Sequence, residues 1–523
     1  MDLFGAIDAG SNSVRLQIAA FVSGFQHHVV REERAVTRLG ESVFRTGRLS
    51  DRAFRDTLDV LKSFRKKAEE AGVVAMRAVG TSALREADNA RKFVKAASHD
   101  SGVEVDVISA REEARLIHLG VISRLAKPED PLLLIDIGGG SAEFTVSRGA
   151  RITATCSAPL GVVRLSELFL DSDPPAPAEL ERLEGQVRKK LERIHQILAT
   201  PRGLGGEGPI RAIGTSGTMA ALAGAVSRVE ASRNFLEGQR FTRTDADALY
   251  RRLRVLDRDA RAKIPGINAK RAELIVAGLA VVCQTMREFD LTEISYADAG
   301  LRDGVLVDLA ARRAGDPAGV AYLKDERLLA IRHLGERYDY GPESSSHVAR
   351  LARQLFQSLQ PLHELDESYG ELLEAAALLH DIGHYVNSAK HHKHTYYLIA
   401  NSELPGWSDK ERLLIANIAR YHRGSWPDIA HDGFGELSSK ERRAVEHLAA
   451  LLRLADACDQ GRRRSVQSVL AVAKSDRLEV ALLASGEAEL EGWAAAKTAD
   501  LFRKVFGRKL EVRVERMKPA VGT

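Results

Sequence analysis

One short motif occurs twice in this chain, and it constrains the fold more than any other feature. The two copies read Ile7-Asp8-Ala9-Gly10-Ser11-Asn12-Ser13 and Ile135-Asp136-Ile137-Gly138-Gly139-Gly140-Ser141. Apolar residues then alternate with other residues, at positions 14, 16 and 18 in one copy and 142, 144 and 146 in the other. Period-two alternation around a Gly/Ser/Asn turn is typical of a β-hairpin. The duplication therefore predicts two related α/β units, each with a glycine hairpin.

The turns of these hairpins have the chemistry of a phosphate-binding site. Their small residues leave backbone N–H groups and hydroxyls accessible, and these groups suit phosphate oxygens. Asp8 and Asp136 stand at the end of a strand before each turn, where a carboxylate can hold a divalent cation that bridges phosphates. Two such turns facing each other would form a clamp for a polyanion.

A third turn of the same kind follows a strand and precedes a helix. It reads Gly214-Thr215-Ser216-Gly217-Thr218. Backbone amides at the start of a helix attract anions, so this turn is expected to add to the same phosphate site.

The length and the cysteines limit the class of protein. A chain of 523 residues is too long for one ordinary core and predicts three or four domains. Its apolar runs are too short to span a bilayer and no cleavable leader precedes the first strand, so no membrane partner is expected. Cys156, Cys283 and Cys458 fit neither a disulfide framework nor a zinc site, which favours a cytoplasmic location. The formal net charge of +4 is compatible with an anionic substrate.

Turn-forming breaks at residues 127–131 and 312–319 divide the sequence. The predicted domains are an α/β domain I at 1–126, an α/β domain II at 127–312, a helical domain at 320–470 and a small α/β domain at 475–523. The pattern predicts a helix at 51–71, strands at 75–79 and 103–108, helices almost throughout 322–470, strands at 478–483 and 509–514, and a helix at 493–506. Hinges are expected at residues 126–131 and 301–305.

Further motifs accompany the hairpins in a definite order. They are Gly80-Thr81-Ser82-Ala83-Leu84-Arg85, the stretch at 111–117, the second hairpin, the third turn and Gly300-Leu301-Arg302-Asp303-Gly304. The paired hairpins resemble the actin, heat-shock ATPase and sugar kinase superfamily. The ordered motifs resemble the exopolyphosphatase / guanosine pentaphosphate phosphohydrolase (Ppx/GppA) family. This resemblance implies an α/β fold of two ribonuclease H-like (actin-like ATPase superfamily) domains, followed by an all-α HD-like domain and a small α/β C-terminal domain.

Two adjacent glutamates compete for the role of the base that orients water. Ser109-Ala110-Arg111-Glu112 fits a capping box, which gives Glu112 a structural task. Glu113 has no task in that cap, and in the resembled family the glutamate at its position is the catalytic base. The resemblance implies that role for Glu113. Because a base needs a pKa near the working pH, Glu113 is expected in a narrow, partly desolvated cleft.

Three carboxylates form the predicted magnesium set. Asp8 and Asp136 end their strands, and Glu143 projects from the same strand face as Ser141. Arg15 occupies the position in the first hairpin that Glu143 occupies in the second. This asymmetry suggests that one turn holds the metal ion and that the other contacts phosphate directly.

The predicted phosphate contacts come from the three turns and from three arginines. Arg85 is a candidate for a bidentate phosphate contact. Arg271 matches a basic position of the family, although it belongs to a charged helix whose solvated face is the alternative reading. The complete set is Gly10, Ser11, Asn12, Ser13, Arg15, Arg85, Gly138, Gly139, Gly140, Ser141, Gly214, Thr215, Ser216, Gly217 and Arg271.

The helical region has a separate pattern of histidines and aspartates. Eleven of the sixteen histidines lie between His333 and His447. The pattern resembles the HD phosphohydrolase tetrad, in which imidazole and carboxylate groups converge on a divalent metal. The predicted ligands are His347, His380, Asp381 and Asp456, with His394 and His422 completing a two-metal site suited to phosphate esters. The alternative is a degenerate HD fold whose histidines are structural.

These features predict a magnesium-dependent exopolyphosphatase that hydrolyses terminal phosphates of inorganic polyphosphate, with water oriented by Glu113. Hydrolysis of the 5′ γ-phosphate of guanosine pentaphosphate (pppGpp) is the close alternative, because both substrates end in the same group. Basic runs at 390–394, 420–423 and 461–464 favour polyphosphate as the substrate if they bind several phosphates along one chain. The alternative is that these residues are ordinary solvent-exposed charges at helix ends.

Two other classes of function are alternatives to a hydrolase: a kinase-like phosphotransferase, and a non-catalytic sensor of a polyanion or alarmone. No nucleic-acid partner is expected, because aromatic residues are few and no recognition helix is apparent. A homodimer is expected from the length and the helical C-terminal half.

Overall fold

The computed structural model describes residues 2–23, 26–125, 131–149, 151–199, 204, 210–227, 238–314, 317–339 and 341–516. The first predicted domain boundary and most of the first predicted hinge lie outside the described residues. The chain divides into two compact units, Met1–Leu323 and Lys324–Thr523. The finer division into four domains stays a prediction.

The first sheet consists of five strands. They are β1 (Leu3–Ala9), β2 (Val14–Ser23), β3 (Gln26–Ala35), β4 (Val73–Gly80) and β5 (Val105–Val107). Their order is β3-β2-β1-β4-β5, in which β1 to β3 are antiparallel neighbours and β4 and β5 continue parallel to β1. Asp8 of β1 therefore lies between Arg15 of β2 and Val79 of β4.

The second sheet repeats this arrangement. Its strands are β6 (Pro131–Ile137), β7 (Ala142–Arg148), β8 (Arg151–Ala158), β9 (Arg211–Thr215), β10 (Arg240–Thr242) and β11 (Glu293–Tyr296). The order β8-β7-β6-β9-β11 matches the first sheet, and β10 adds an antiparallel edge. Asp136 lies between Glu143 and Thr215, the same register that Asp8 has in the first sheet. The predicted α/β class and the duplication are confirmed.

Helices cover the sheets of the first unit. They are Val43–Thr46, Asp51–Glu70, Ser82–Glu86, Ala90–Ala96, Ala110–Ile122, Val162–Phe169, Pro177–Leu198, Ser216–Ser227, Arg243–Leu253, Arg258–Ala262, Ala269–Ala272, Ile275–Glu288 and Leu301–Ala314, with a π-helical turn at Ala97–Ser101. The helix Asp51–Glu70 shows how the sequence sets these elements. Ser50 caps it by accepting from the Ala53 amide, and residues three or four apart, such as Leu61, Phe64 and Ala68, form its buried stripe.

The helix Ala110–Ile122, which carries Glu113, packs closely on the helix Leu301–Ala314. Glycines make the approach possible: a Cβ at Gly304 would lie 2.5 Å from the Leu116 carbonyl carbon, and one at Gly120 would lie 2.8 Å from the Gly304 nitrogen. Any larger residue at either glycine would force the two helices apart. The final motif, Gly300 to Gly304, therefore positions the helix of Glu113.

Buried ion pairs reinforce the same contact. Asp308 accepts from Arg115 at 2.8 Å and from Arg77 at 3.2 Å, and Arg115 also binds Glu112 at 2.8 and 2.9 Å. Neighbouring guanidinium groups hold the pKa of Asp308 well below its usual range, against the effect of burial. These pairs link the Glu113 helix to β4 and to the helix of Gly304.

The C-terminal part is mainly helical and ends in a small mixed sheet. Its helices are Pro317–Arg337, Pro342–Ser358, Gln360–His363, Glu367–Leu379, His391–Ala400, Asp409–Arg420, Ser439–Ala457, Glu489–Ala496 and Ala499–Phe506, with a 3₁₀ turn at Ile382–Tyr385. The sheet contains β12 (Val466–Ala473), β13 (Arg477–Ala484) and β14 (Lys509–Arg516). The prediction of helix up to residue 470 is wrong, because β12 begins at Val466. Helices and sheet share one hydrophobic cluster.

No helix within the described ranges combines the length and the apolar character that a bilayer crossing requires.

Candidate active site

The two hairpin turns line one cleft of the first unit, with a volume of about 490 Å³. Both turns close with the same hydrogen bond, in which Gly10 donates to the Ser13 carbonyl at 3.2 Å and Gly138 to the Ser141 carbonyl at 2.9 Å. A Cβ at Gly139 would lie 3.1 Å from Cβ of Ser11, so the turns contact each other directly. The structure therefore has the facing hairpins that the duplication predicts.

Most of the predicted site residues lie on the wall of this cleft. They are Asp8, Gly10, Ser11, Asn12, Ser13, Arg15, Glu113, Asp136, Gly138, Gly139, Gly140, Ser141, Thr215, Ser216, Gly217 and Arg271. Gly214, Arg85 and Glu143 are not part of that wall. Gly214 packs on Met219, Arg85 donates to Glu113, and Glu143 accepts from Ser157.

The third turn presents a strained serine to the cleft. Ser216 has a φ of 89° at the start of the helix Ser216–Ser227, a conformation that costs energy for any residue except glycine. In the part of the chain that the structure describes, the buried hydroxyls of Ser216 and Ser11 have no hydrogen-bond partner. Arg271 donates to the Gly217 carbonyl, which places it at the turn. Unpaired donors beside a helix N-terminus suit an anionic ligand.

Glu113 lines the cleft near the start of its helix. Ser109 caps that helix by accepting from the Glu112 amide at 3.1 Å, as the sequence predicts. Glu113 is only 7% exposed, and its Oε2 accepts from Arg85 Nη1 at 2.7 Å. Burial raises the pKa of Glu113 and the charge of Arg85 opposes that rise. A buried carboxylate held by one arginine has the environment that a general base needs.

Arg85 itself is anchored away from the cleft. Its Nη1 also donates to the Ile108 carbonyl at 3.0 Å, so this guanidinium orients Glu113. Its phosphate contact stays a prediction.

Three further carboxylates surround Glu113. Burial raises the pKa of Asp8, Asp136 and Glu143, and the charges of Glu113 and Asp136 raise the pKa of Glu143 further. Thr215 donates its hydroxyl to Asp136, and Ser157 donates to Glu143 Oε1 at 2.9 Å. Glu143 Oε2 is buried and has no partner among the described residues.

Acidic groups outnumber basic groups on the wall of the cleft. Seven carboxylates line it, against four guanidinium groups. The acidic residues are Asp8, Glu32, Glu33, Glu113, Asp136, Asp298 and Asp303, and the basic ones are Arg15, Arg34, Arg271 and Arg302. Glu113, Glu32, Glu33 and Asp303 are already held in ion pairs. Asp8 and Asp136 fit a hard divalent cation, since oxygen ligands are what magnesium prefers.

Sequence reasoning missed Arg164, which connects the second hairpin to the end of β4. Its Nε donates to the Gly140 carbonyl at 2.7 Å, its Nη2 lies 3.3 Å from Ser82 Oγ, and its guanidinium stacks on Phe44 at 3.9 Å. The available signal was an arginine among the apolar residues that open the helix Val162–Phe169.

The second unit contains a separate cluster of histidine and aspartate side chains. Ligand atoms of Asp381, His391 and His422 all lie within 4.8 Å of one another. His380 Nε2 lies 3.4 Å from both Asp381 and Asp456. The group of three includes neither His347 nor His394, and His391 was not among the predicted ligands. The sequence offers three histidines within residues 391–394 and no basis for choosing among them.

A family model described as the Ppx/GppA phosphatase family matches residues 17–313, more than half of the chain. The chain belongs to this family. A second model, described as Ppx/GppA phosphatase domain III, matches residues 327–491. The HD character of that region stays a prediction.

Solved structures of Ppx/GppA proteins resemble the chain. A family member from Aquifex aeolicus is 30% identical with a TM-score of 0.52, and the match covers 60% of this chain and 98% of that one. An exopolyphosphatase from Cytophaga hutchinsonii is 26% identical with a TM-score of 0.53, over 59% of this chain and 97% of that one.

Proposed function

We propose that this Ppx/GppA phosphatase is an exopolyphosphatase that releases terminal phosphates from inorganic polyphosphate, with Glu113 as the base. One observation carries the proposal: the buried carboxylate of Glu113 lines the same cleft as both hairpin turns. The exopolyphosphatase from Cytophaga hutchinsonii among the similar structures supports the choice of substrate.

Some residues of the cleft bind the substrate, and Glu113 transfers the proton. Amides and hydroxyls of the three turns, with Arg15 and Arg271, bind the terminal phosphates and hold them in line. Glu113 accepts a proton from water, and the water oxygen attacks the terminal phosphorus. The bond from that phosphorus to the bridging oxygen breaks, and inorganic phosphate is released while the shortened chain keeps the bridging oxygen.

Arg85 and burial together set the basicity of Glu113. Burial raises the pKa of this carboxyl, which makes it a better proton acceptor than an exposed glutamate. The Arg85 hydrogen bond fixes one carboxylate oxygen and leaves the other for water.

We propose Mg²⁺ as the cofactor, held by Asp8, Asp136 and Glu143. The buried carboxylates of Asp8 and Asp136 and the unpartnered Oε2 of Glu143 support this choice, because a bound cation would offset the cost of burying their charge. When bound, the ion would neutralise charge on the phosphates.

The alternative substrate is guanosine pentaphosphate, and phosphate release distinguishes the two. The purified chain is assayed with long-chain polyphosphate and with guanosine pentaphosphate, each with Mg²⁺ and with a chelator. We expect Mg²⁺-dependent release and a higher kcat/KM for polyphosphate. A higher kcat/KM for guanosine pentaphosphate would assign the alternative. Binding of either polyanion without phosphate release would instead identify a sensor and overturn the proposal.

A further inference from the structure

Backbone amides hold the first two carbonyls of the second hairpin turn. The helix Val162–Phe169 begins beside this turn, and its Val162 amide donates to the Gly138 carbonyl at 3.0 Å. The Val163 amide donates to the Gly139 carbonyl at 2.8 Å. Both contacts join main chain to main chain, so most side-chain substitutions leave them in place.

The third carbonyl of this turn depends on a side chain instead. Arg164 Nε donates to the Gly140 carbonyl at 2.7 Å. That carbonyl and the Ser141 N–H belong to one planar trans peptide, in which they point in opposite directions. Ser141 lines the cleft, whereas Arg164 is not part of the described wall. The Arg164 contact therefore fixes the Ser141 amide pointing away from Arg164, at the wall of the cleft.

The guanidinium of Arg164 is itself held by residues that belong to the first α/β repeat. Its Nη2 donates to Glu86 and lies 3.3 Å from Ser82 Oγ, and the group lies 3.9 Å from the centre of the Phe44 ring. Arg164 is only 9% exposed. Because Glu86 neutralises its charge and Phe44 covers it, Arg164 supports the turn and does not serve as a phosphate ligand.

The first hairpin turn has the same kind of support from the main chain. The Gly40 amide donates to the Ser11 carbonyl at 2.7 Å, and the Arg38 amide donates to the Asn12 carbonyl at 3.1 Å. Anchored carbonyls are thus common to both turns. Arg164 is the point at which the substitution of one side chain tests their effect.

We propose that Arg164, oriented by Glu86, is a positioning residue of the phosphate site, which aims the Ser141 amide at a phosphate of the bound substrate. The inference rests on the proposed function, because it requires a phosphate chain in the cleft. An amide that turns away loses one hydrogen bond to a charged group, which weakens binding at least about tenfold.

Binding of polyphosphate without turnover measures this effect. The Kd for inorganic polyphosphate of one chain length is determined by calorimetry at saturating Mg²⁺ in the Glu113→Gln background, which lacks the base. We expect Arg164→Met to raise Kd at least about tenfold. Arg164→Lys should raise Kd about threefold, because an ammonium group keeps the charge and a donor but lacks the planar fork that stacks on Phe44.

Arg45→Met is the matched control. Arg45 also contacts the helix Val162–Phe169, because it donates to the Glu167 carbonyl, but it is exposed and pairs with Asp171 at the far end of that helix. Exposed ion pairs contribute little, so its removal should leave Kd within about twofold.

A double-mutant cycle separates positioning from a general structural effect. Glu86→Gln should raise Kd when Arg164 is present and should add nothing when Arg164→Met is already present, because Glu86 acts through Arg164. An equal effect of Glu86→Gln with and without Arg164 would contradict the proposal.

Hydrogen exchange in the helix Ala110–Ile122 shows whether the first unit of each variant stays folded. If Arg164→Met loses protection there, the comparison of Arg164→Lys with Arg45→Met decides. A folded Arg164 variant with the same Kd as Glu113→Gln alone would overturn the inference and leave the proposed function intact. A parent chain that neither binds polyphosphate nor releases phosphate would refute the proposed function, and this inference with it.

Discussion

Replacing Gly304 with alanine tests how the Glu113 helix is positioned. The added Cβ would lie 2.5 Å from the Leu116 carbonyl carbon and closer still to its oxygen, whereas real Cβ atoms essentially never approach below 3.0 Å. The two helices must therefore separate locally by at least 0.5 Å, the difference between 3.0 and 2.5 Å. The obstacle is backbone, so no side-chain rotation can relieve it.

We expect the free energy of unfolding to fall by about 3 kcal/mol, the upper end of the usual range for an overpacked core. The loss is this large because the buried side chains of Val305 and Leu306 follow Gly304 directly and move with its helix. A loss of that size raises the unfolding equilibrium constant of the first unit about a hundredfold. Glu113 lies three residues before Leu116, so it moves with the helix. A displacement approaching 1 Å lowers kcat by up to about a hundredfold.

Hydrogen exchange followed by mass spectrometry measures the effect in each unit separately. Peptides from the helix Ala110–Ile122 should exchange faster in Gly304→Ala. All three tryptophans, Trp407, Trp426 and Trp493, lie in the second unit, and their fluorescence should not change.

Gly185→Ala is the matched control. Gly185 is exposed within the helix Pro177–Leu198 and a Cβ there meets nothing within 4 Å, so this change should stabilise by about 0.5–1 kcal/mol. Equal exchange rates and equal kcat in the two alanine variants would refute the reasoning.

Three further predictions concern the same helix. Arg85→Met removes the charge that opposes the raised pKa of Glu113, so the acidic limb of the pH profile of kcat/KM should move to higher pH, and Arg85→Lys should move it less. Burial lowers the pKa of His118 from 6.5 to about 4. The unfolded chain therefore binds a proton at His118 more readily than the folded chain. Between pH 7.5 and pH 5 the free energy of unfolding should fall by about 2 kcal/mol more in the parent than in His118→Leu, as measured by urea unfolding. Asp308→Asn removes the buried carboxylate that binds both Arg115 and Arg77, although Glu112 still binds Arg115. This change should cost about 3 kcal/mol of stability, seen as faster hydrogen exchange in the Glu113 helix.

The sequence was most informative where one residue type is required by local geometry. The glycine and serine turns predict the two hairpins and their facing arrangement, because duplicated strands place their ends at equivalent edges. Ser109 predicts the start of the Glu113 helix, because its hydroxyl can satisfy a free amide there.

The sequence was less informative where contacts join distant segments. Arg85 reaches Glu113 because β4 and the following helices bring them together, and no local pattern contains that contact. Glu143 is buried and does not line the cleft, and its carboxylate accepts from Ser157 of β8, a contact that the hairpin pattern does not contain. The start of β12 also fits a helix, because a short apolar run does not distinguish a strand from a buried helix.

The role of Glu113 is tested most directly by its replacement with glutamine, which keeps the shape and removes the basicity. Phosphate release in a single turnover and the Kd for polyphosphate are measured for the parent and for Glu113→Gln at saturating Mg²⁺. The account predicts a rate at least about a hundredfold lower with Kd within a few-fold of the parent. A single-turnover rate equal to that of the parent would contradict the assignment of Glu113 as the base.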